Sequence, residues 1–325
     1  MSDPIRPDLS VVIVTWNCRD FAKDCLRSLA TVVGIPFEVI VVDNASTDGT
    51  AAMIARVFPD VRLITSAENL GFAKANNLGI RASRGRFVAL INPDVVLLEG
   101  CVARALDVMS SESSIGMVGP RMLGPDGRTR RSGMSAPSLW NSLCDALALH
   151  TMFARSRLVG GQMMAHFSWD VRADVDVLNG WFWVIRREAI NDVGLMDERF
   201  FMYGEDLDWC KRFRAKGWRI LFEPSAAAIH FGGGSSQAAP IRFYLEMHRA
   251  NLEYWRKHHG SMARGCHLLI VIAHHTLRVA TFGLSHFLLR ARDPSLHAKT
   301  ARSAACLRWL IVGHHRELIA PLDQV

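Results

Sequence analysis

Apolar runs rich in Val and Ile alternate with amphipathic stretches over roughly the first hundred residues. The runs LSVVIVTW (Leu9 to Trp16) and FEVIVVDN (Phe37 to Asn44) flank the amphipathic stretch DFAKDCLRSLA. The strand-like segments DVRLITS and GRFVALINPDV follow, each after a helix-like segment, TDGTAAMIARVF and GFAKANNLGIRAS. Continuous β-branched runs are typical of strands buried on both faces. The pattern therefore predicts an α/β fold with a mostly parallel, Rossmann-like sheet flanked by helices.

Acidic residues end two of these strands, Asp43 in VVDN and Asp94 in INPD. Ligands of open parallel sheets bind beyond the carboxyl ends of the strands, so we expect both acids to face the same crevice. Asp also favours turns and helix caps, and that role is an open alternative for each residue.

The usual phosphate and calcium motifs are excluded. TWNCRD follows the first strand without a glycine, which excludes GxGxxG, and the chain has no Walker A motif. An EF-hand register beginning at Asn44 would put Ala55 where a bidentate Glu is required, after a strand instead of a helix. If the two strand-end acids bind a ligand, they do so outside these three motifs.

The segment FMYGEDLDWC concentrates three carboxylates, Glu205, Asp206 and Asp208, within four residues. Like charges this close repel each other, and this costs stability unless a cation, a proton or a substrate hydroxyl uses them. LDWCKRFRAKGW then continues as a helix, with Gly217 as its C-cap.

Six segments together resemble a family 2 glycosyltransferase of the GT-A fold, within the bacterial rhamnosyltransferase-like group. They occur in that family's order over about residues 9–236: VVIVTWN, VVDNASTDGT, NLGFAKANNLGI, NPDV, FFMYGEDLDWCKRFRAKGWRI and HFGGGSS. The resemblance implies a GT-A catalytic domain over residues 1–240. Its nucleotide-sugar half would cover about 9–100, and its acceptor and catalytic half about 101–240.

The resemblance also implies donor and metal ligands. Asp43 and Asp48 would hydrogen-bond the base and the ribose of a nucleotide sugar. Asn92-Pro93-Asp94 stands in the place of the DxD motif, so a divalent metal, Mg²⁺ or Mn²⁺, would be held by Asp94, by Asn92 without charge, and by His230. A core imidazole is the alternative for His230. The full set expected to bind the donor is Thr15, Asn17, Asp43, Asn44, Asp48, Asn69, Gly71, Asn76, Asn92 and Asp94.

The acidic cluster would supply the catalytic base. An inverting sugar transfer needs one carboxylate to remove the acceptor's proton and a cation to stabilise the departing diphosphate. The resemblance assigns the base to Asp206, and we expect Glu205 to orient it or the acceptor. Asp208 either binds the acceptor or belongs to the acidic first turn of the helix.

Three further residues are candidates for acceptor binding. Arg130 and Arg131, with Arg128, are placed to bind the pyrophosphate of a lipid-linked acceptor, unless they form a solvated loop. Trp181 is able to stack on a sugar, although its alternation with Trp183 also fits a strand with both rings in the core.

The excess positive charge lies in the tail. Residues 241–325 hold 12 Lys and Arg against 5 Asp and Glu, and 10 of the 13 histidines. The apolar stretch His267 to Arg292 is about as long as a membrane span but is interrupted by Arg278 and histidines. We expect a helical C-terminal extension that lies on an anionic membrane surface; a dimer face or a core helix is the alternative.

The combined prediction is a metal-dependent inverting glycosyltransferase that moves L-rhamnose from dTDP-L-rhamnose to a lipid-linked glycan acceptor. Galactofuranose, mannose, glucose and N-acetylglucosamine donors remain open, as do a non-catalytic sugar-binding role and a homo-oligomer. Nucleic acid is not expected as a partner, since no reading motif accompanies the basic tail. Seven scattered cysteines and a polar amino terminus indicate the cytoplasm, here at the inner face of a bacterial membrane.

Overall fold

A ten-stranded mixed sheet is the centre of the computed structural model, which describes residues 7–31, 34–153, 155–232, 239–288 and 294–312. The described strands are β1 (Leu9–Thr15), β2 (Phe37–Asp43), β3 (Arg62–Thr65), β4 (Phe87–Ile91), β5 (Val95–Leu97), β6 (Ile115–Leu123), β7 (Thr129–Arg130), β8 (Gly133–Met134), β9 (Ala173–Asp174), β10 (Val177–Leu178), β11 (Phe182–Arg186) and β12 (Arg219–His230). The sheet order is β3-β2-β1-β4-β11-β6-β12-β5, with β7 beside β6 and β9 beside β12, while β8 and β10 pair separately.

Helices follow most of the strands. Those described are α1 (Arg19–Ser28), α2 (Thr50–Val57), α3 (Gly71–Ala82), α4 (Cys101–Ser111), α5 (Leu139–Ala146), α6 (Leu149–Met152), α7 (Arg187–Val193), α8 (Glu205–Ala215), α9 (Pro240–His258), α10 (Ser261–Leu288) and α11 (Pro294–Val312), with a 3₁₀ turn at Leu29–Thr31.

The first half of the sheet is parallel, as the apolar runs predict. Strand β1 pairs in parallel with β2 and β4, and β2 pairs in parallel with β3. All five residues of β4 are buried, and residues of α1 and α4 join the strands in one apolar core. Burial on both faces is the reason these strands are uniformly apolar.

The second half of the sheet is mixed. Strand β11 runs antiparallel to both β4 and β6, and so separates them. Strand β12 is parallel to β6 and antiparallel to β5, in a register that pairs His230 with Val95. This register brings His230 next to the segment that carries Asp94.

Contacts divide the chain into two units. We call Met1–Ala136, Ser168–Phe201 and Glu205–Ser235 the sheet unit, and Pro137–Phe167, Met202–Gly204 and Ser236–Val325 the helical unit. The domain boundary at residue 240 stays a prediction, and in this grouping by contacts residues 137–167 fall with the C-terminal helices. They do so because α5 packs against α10, with the His267 Nδ1 atom 3.2 Å from the Ser142 hydroxyl and the His274 Nδ1 atom 3.1 Å from the Ala146 carbonyl.

The C-terminal extension is helical, as its pattern predicts. Helices α9, α10 and α11 pack against one another. Among the described helices, the segment Ser261–Gly283 is long and apolar enough to cross a membrane by length and composition alone, and little of it is buried.

Candidate active site

The carboxyl ends of three adjacent strands meet at one edge of the sheet. Thr15 and Asp43 are direct partners at the ends of β1 and β2, and Asn92 follows β4 on the other side of β1. The Thr15 hydroxyl donates to Asp43 Oδ1 at 3.0 Å, and the Ser46 amide donates to Asp43 Oδ2 at 3.1 Å. Both Asp43 oxygens therefore have partners in the protein.

The loop after β2 is fixed by side chains that contact backbone amides. The Asn17 Oδ1 atom accepts a hydrogen bond from the Thr47 amide at 2.7 Å. Asp48 Oδ2 accepts from the Arg19 amide at 3.0 Å, and Asp48 Oδ1 accepts from the Thr50 amide at 3.0 Å. Burial alone raises the pKa of the Asp48 carboxyl, but the hydrogen bonds from Thr50 and Arg19 outweigh it and hold that pKa below its ordinary value. Asp48 is therefore ionised at neutral pH.

The asparagines predicted to bind the donor hold the start of α3. Asn44 Nδ2 donates to Asn69 Oδ1 at 2.8 Å, while Asn44 Oδ1 accepts from the Leu70 amide at 2.8 Å. Asn69 Oδ1 also accepts from the Gly71 amide at 3.0 Å. Asn76 Nδ2 donates to the Phe72 carbonyl of its own helix at 3.0 Å. In this arrangement these side chains bind one another and the backbone around the start of α3, and direct contact with a nucleotide sugar stays a prediction for each.

Asp94 and His230 form the strongest candidate metal site. His230 Nε2 lies 3.1 Å from Asp94 Oδ1, and the Phe231 amide donates to the Asp94 carbonyl at 3.0 Å. An octahedral ion with ligand bonds of about 2.1 Å holds adjacent ligand atoms about 3.0 Å apart. The two side chains thus already have the separation of neighbouring ligands.

The ligand atoms at this site suit a divalent metal. One carboxylate oxygen of Asp94 and one imidazole nitrogen of His230 lie close together. The backbone of Asn92 is fixed nearby, because its backbone N–H donates to the Trp181 carbonyl at 2.9 Å. An imidazole suits a transition metal better than Mg²⁺, so Mn²⁺ is the better fit of the two expected ions.

The glycine loop after His230, which is able to approach phosphate oxygens through its amides, falls largely on residues 233–238, outside the described part of the chain.

Trp181 packs against the imidazole of His230. The two rings are stacked, with their centroids 5.5 Å apart and an angle of 18° between their planes. Trp181 is buried and also meets Phe182 edge to face at 5.9 Å, and Trp183 is completely buried against Trp209. This packing favours the core alternative over sugar stacking, and it places the Trp181 ring directly against the imidazole of His230.

The three clustered carboxylates have different surroundings. Asp208 is completely buried at 0% exposure and pairs with Arg212 at 2.9 Å, and Glu205 is buried as well. Asp206 is the partly exposed member, and its Oδ1 accepts from the Leu207 amide at 2.8 Å. Of the three, Asp206 is the most exposed, and its role as the base stays a prediction. The Asp208 pairing favours its role within the helix over acceptor binding.

Helix α8 is fastened to the segment after α7. Arg212 donates to the Val193 carbonyl at 3.0 Å and to the Leu195 carbonyl at 2.8 Å, as well as to Asp208. The Trp209 indole N–H donates to the Gly194 carbonyl at 2.9 Å. The ion pair therefore orients the helix whose first turn carries Asp206.

A contact missed by sequence reasoning joins α3 to the segment before the acids. The Phe72 amide donates to the Phe201 carbonyl at 2.6 Å, and a Cβ at Gly71 would lie only 2.3 Å from that oxygen. Asn77 also exchanges hydrogen bonds with Met196, donating to its carbonyl at 2.9 Å and accepting from its amide at 3.1 Å. The NLGFAKANN motif indicated that this segment has a specific role. It did not indicate the partner segment, which lies more than a hundred residues away in the chain.

The arginine loop does not form a cluster of free cations. Arg130 donates to Asp126 Oδ2 at 2.8 Å, and the Arg128 amide donates to Asp126 Oδ1 at 3.2 Å. Arg130 is exposed and Arg131 is half-buried. Both alternatives for this loop, acceptor binding and a solvated turn, stay predictions.

Two thiols near the strand ends are excluded as nucleophiles. Burial raises the pKa of Cys18 to about 12, and burial also raises the pKa of Cys25, with the nearby Asp94 charge acting in the same direction. A thiol that stays protonated at neutral pH is a poor nucleophile. Neither thiol is therefore expected to act as a nucleophile.

Comparison with known proteins identifies the class. The sequence profile of Glycosyl transferase family 2 matches residues 10–194. N-acetylglucosaminyl-diphospho-decaprenol L-rhamnosyltransferase of Mycobacterium tuberculosis (strain ATCC 25618 / H37Rv) is 30% identical over 286 residues, which cover 81% of this chain and 92% of that protein. The structure of mannosyltransferase PcManGT from Pyrobaculum calidifontis in complex with GDP-Man and Mn²⁺ matches with a TM-score of 0.57 and 15% identity, over 97% of this chain and 89% of that one.

The sheet and the structural match show the GT-A fold. The family profile and the rhamnosyltransferase relative show that the protein is an enzyme, a glycosyltransferase. The chain belongs to glycosyl transferase family 2, since the family profile covers more than half of its residues. The resemblance noted in the sequence, including its rhamnosyltransferase-like character, is thereby confirmed. The profile match ends before Glu205, so the roles of Asp206 and His230 stay predictions.

Proposed function

We propose that this glycosyltransferase moves L-rhamnose from dTDP-L-rhamnose to a polyprenyl-diphosphate-linked glycan at the cytoplasmic face of a membrane. The observation that carries the proposal is the 30% identity to a decaprenol-linked L-rhamnosyltransferase over 92% of that protein's length. A match of this extent includes more than the nucleotide-binding half that many glycosyltransferases share. It therefore supports a similar donor and a similar acceptor.

Asp206 is the base in this proposal. Its carboxylate takes the proton from the acceptor hydroxyl as that oxygen bonds to the anomeric carbon, and the bond from that carbon to the diphosphate oxygen breaks on the opposite face. Inversion follows from this in-line geometry. Support comes from the partial exposure of Asp206 beside the buried Glu205 and the ion-paired Asp208. The Arg212 contacts hold α8, so Asp206 need not reorganise during the reaction.

The proposed metal ligands are Asp94, His230 and Asn92. A divalent ion bound there supplies positive charge to the departing nucleoside diphosphate. Trp181 keeps the imidazole in place by stacking, and the direct contact between His230 and Asp94 aligns both side chains. The Thr15 hydroxyl and the Ser46 amide hold the Asp43 carboxylate where the family resemblance puts the donor's base and ribose.

The helical unit supplies the membrane contact in this proposal. Residues 241–325 combine 12 Lys and Arg with 5 Asp and Glu, and a basic helical surface is attracted to anionic lipids. A lipid-linked acceptor would explain why a catalytic domain carries this extension. Sedimentation with anionic vesicles should fall as salt rises, and equal sedimentation with neutral vesicles would contradict an electrostatic contact.

The testing experiment measures nucleoside diphosphate release from a donor panel. The full chain is incubated with polyprenyl-diphosphate-linked N-acetylglucosamine in vesicles, with Mn²⁺ or Mg²⁺. The panel contains dTDP-L-rhamnose, UDP-galactofuranose, GDP-mannose, UDP-glucose and UDP-N-acetylglucosamine. We expect release from dTDP-L-rhamnose that depends on both the acceptor and the metal.

The matched control compares two acids. Asp206→Asn should lose release, while Asp107→Asn, which changes an exposed acid on α4, should behave like the unaltered protein. A clear preference for another donor would reject rhamnose but keep the transfer reaction. Release that persists in Asp206→Asn would reject the assigned base.

A further inference from the structure

The helical unit contains a cluster of metal-binding side chains far in sequence from the family motifs. His248 on α9, His275 on α10 and Cys306 on α11 each offer one ligand atom, and these three atoms all lie within 4.8 Å of one another. We propose that these residues bind a Zn²⁺ ion that ties the three C-terminal helices together.

The geometry requires only a small adjustment. A tetrahedral Zn²⁺ with bonds of about 2.0–2.3 Å holds its ligand atoms about 3.4–3.6 Å apart. The present separations, at most 4.8 Å, exceed that by no more than about 1.4 Å, which rotation of three side chains can close. The rings of His248 and His275 are already edge to face, with centroids 4.7 Å apart.

The buried imidazoles have polar atoms that the protein does not satisfy. His275 is 0% exposed, and neither of its ring nitrogens has a hydrogen-bond partner among the described residues. His248 Nε2 is likewise buried and lacks a partner within the described chain. Buried polar groups without partners are rare and costly, and a bound ion would satisfy them. Cys306 is also fully buried, so the ion would be shielded from water on that side.

The ligand types select a class of metal. Two imidazole nitrogens and one thiol sulfur suit Zn²⁺ and exclude Mg²⁺, which prefers oxygen. Binding releases the Cys306 thiol proton, because the thiolate is the ligand. A water molecule would take the fourth tetrahedral position, since three residues supply ligands.

Charge makes Cys306 the critical ligand. The Arg278 guanidinium lies close enough to His248 and His275 to oppose additional positive charge. A thiolate reduces the charge of a bound Zn²⁺ and so offsets that repulsion. The two imidazoles alone would leave the full double charge beside Arg278.

Cobalt provides the probe, because Co²⁺ bound to a thiolate absorbs in the near ultraviolet. The full chain is stripped with a chelator and titrated with Co²⁺ in excess Mg²⁺, which occupies oxygen-rich sites. We expect a saturable thiolate-to-cobalt band at a single equivalent, its loss on adding Zn²⁺, and a higher melting temperature with Zn²⁺ than without it.

Four variants identify the ligands. Cys306→Ser should lose the near-ultraviolet band, and His275→Gln should weaken Co²⁺ binding at least tenfold. Cys266→Ser, at the exposed cysteine of α10, and His297→Gln, at an exposed position of α11, should bind like the unaltered chain. Circular dichroism checks that each variant is folded.

Three results would overturn the proposal. The first is a stripped, unaltered chain that develops no thiolate band, an outcome that needs no variant. The second is a band that survives Cys306→Ser, and the third is equal loss in the Cys266→Ser control. The cluster would then be a set of neutral imidazoles packed in an apolar interior.

Discussion

Two groups of buried polar side chains, one in the sheet unit and one in the helical unit, differ in how they are satisfied. In the sheet unit, Asp208 pairs with Arg212, Asn44 bonds Asn69 and a backbone amide, and Asn77 bonds both polar backbone groups of Met196. In the helical unit, both ring nitrogens of His275 and the Nε2 atom of His248 have no such partner within the described residues.

This difference separates two ways of stabilising a structure. A buried group whose partners lie in the protein itself needs no added component, and the Arg212 contacts in this way hold the helix that carries Asp206. A buried group that lacks a partner must obtain it from a ligand or remain a cost. We therefore expect the removal of single partners to lower the stability of the sheet unit. We expect the stability of the helical unit to depend on bound metal.

The largest effect is expected at the acidic cluster. Asp208→Asn leaves Arg212 without its buried partner and should lower the free energy of unfolding by about 3 kcal/mol, the lower end for such pairs because Arg212 is partly exposed. Asp206→Asn should change that free energy by less than about 0.5 kcal/mol. It should instead slow sugar transfer by about 10²–10⁴-fold.

Denaturant unfolding and turnover rates check both statements on the full chain. The contrast fails if Asp206→Asn destabilises as much as Asp208→Asn, because Asp206 would then be part of the folded framework.

The next effect concerns the contact between α3 and the segment before the acids. Gly71 has a φ of +77°, and an added Cβ would lie 2.3 Å from the Phe201 carbonyl. Gly71→Ala should lower the free energy of unfolding by about 2 kcal/mol or more, from a left-handed backbone cost of about 1–2 kcal/mol and the displacement of Phe201.

Gly49→Ala is the matched control for Gly71→Ala. Gly49 has a φ of +83° with nothing within 4 Å of an added Cβ, so it shows the backbone cost alone. Equal melting temperatures for the two variants would mean that close contact with Phe201 adds nothing to the destabilisation in Gly71→Ala.

A smaller effect tests the ring that supports His230. Trp181→Leu removes the stacked surface and should raise the Mn²⁺ concentration needed for half-maximal activity by about tenfold, as is common for residues that support metal ligands. Trp181→Phe keeps an aromatic face and should raise that Mn²⁺ concentration less. An unchanged Mn²⁺ requirement in Trp181→Leu would mean that the Trp181 ring does not support metal binding by His230.

The smallest effect is expected on the surface of the helical unit. Arg256 pairs with Glu253 at 2.6 Å on α9, but half of the arginine side chain is exposed. Arg256→Gln should change the free energy of unfolding by less than about 0.5 kcal/mol. If urea unfolding shows a loss several times larger, surface ion pairs, and not buried contacts, stabilise this unit.

The sequence could predict much of the fold but less of the site. The alternation of apolar runs predicted the parallel strands β1 to β4, because burial on both faces leaves a local signature in each strand. The position of β11 between β4 and β6 has no such signature, because it depends on pairing between strands far apart in the chain.

The same limit applies to the candidate site. Sequence reasoning placed Asp94 and His230 in one metal site through a family resemblance, and the separation of 3.1 Å between their side-chain atoms is a property of the β12 and β5 register. It assigned the base to Asp206 through the same resemblance, since the spacing of Glu205, Asp206 and Asp208 does not say which one is buried. Burial and the Arg212 contact distinguish them.

By itself, the sequence determined the α/β alternation, the acids at the strand ends, the order of the family motifs and the basic helical tail. Each depends on residues that are close together in the chain, so local periodicity and residue order are sufficient to predict it. The tertiary structure alone decided that Trp181 stacks on His230, that Asp206 is the accessible acid, and that His248, His275 and Cys306 meet. These are contacts between distant elements, and their energies depend on packing that no local pattern records.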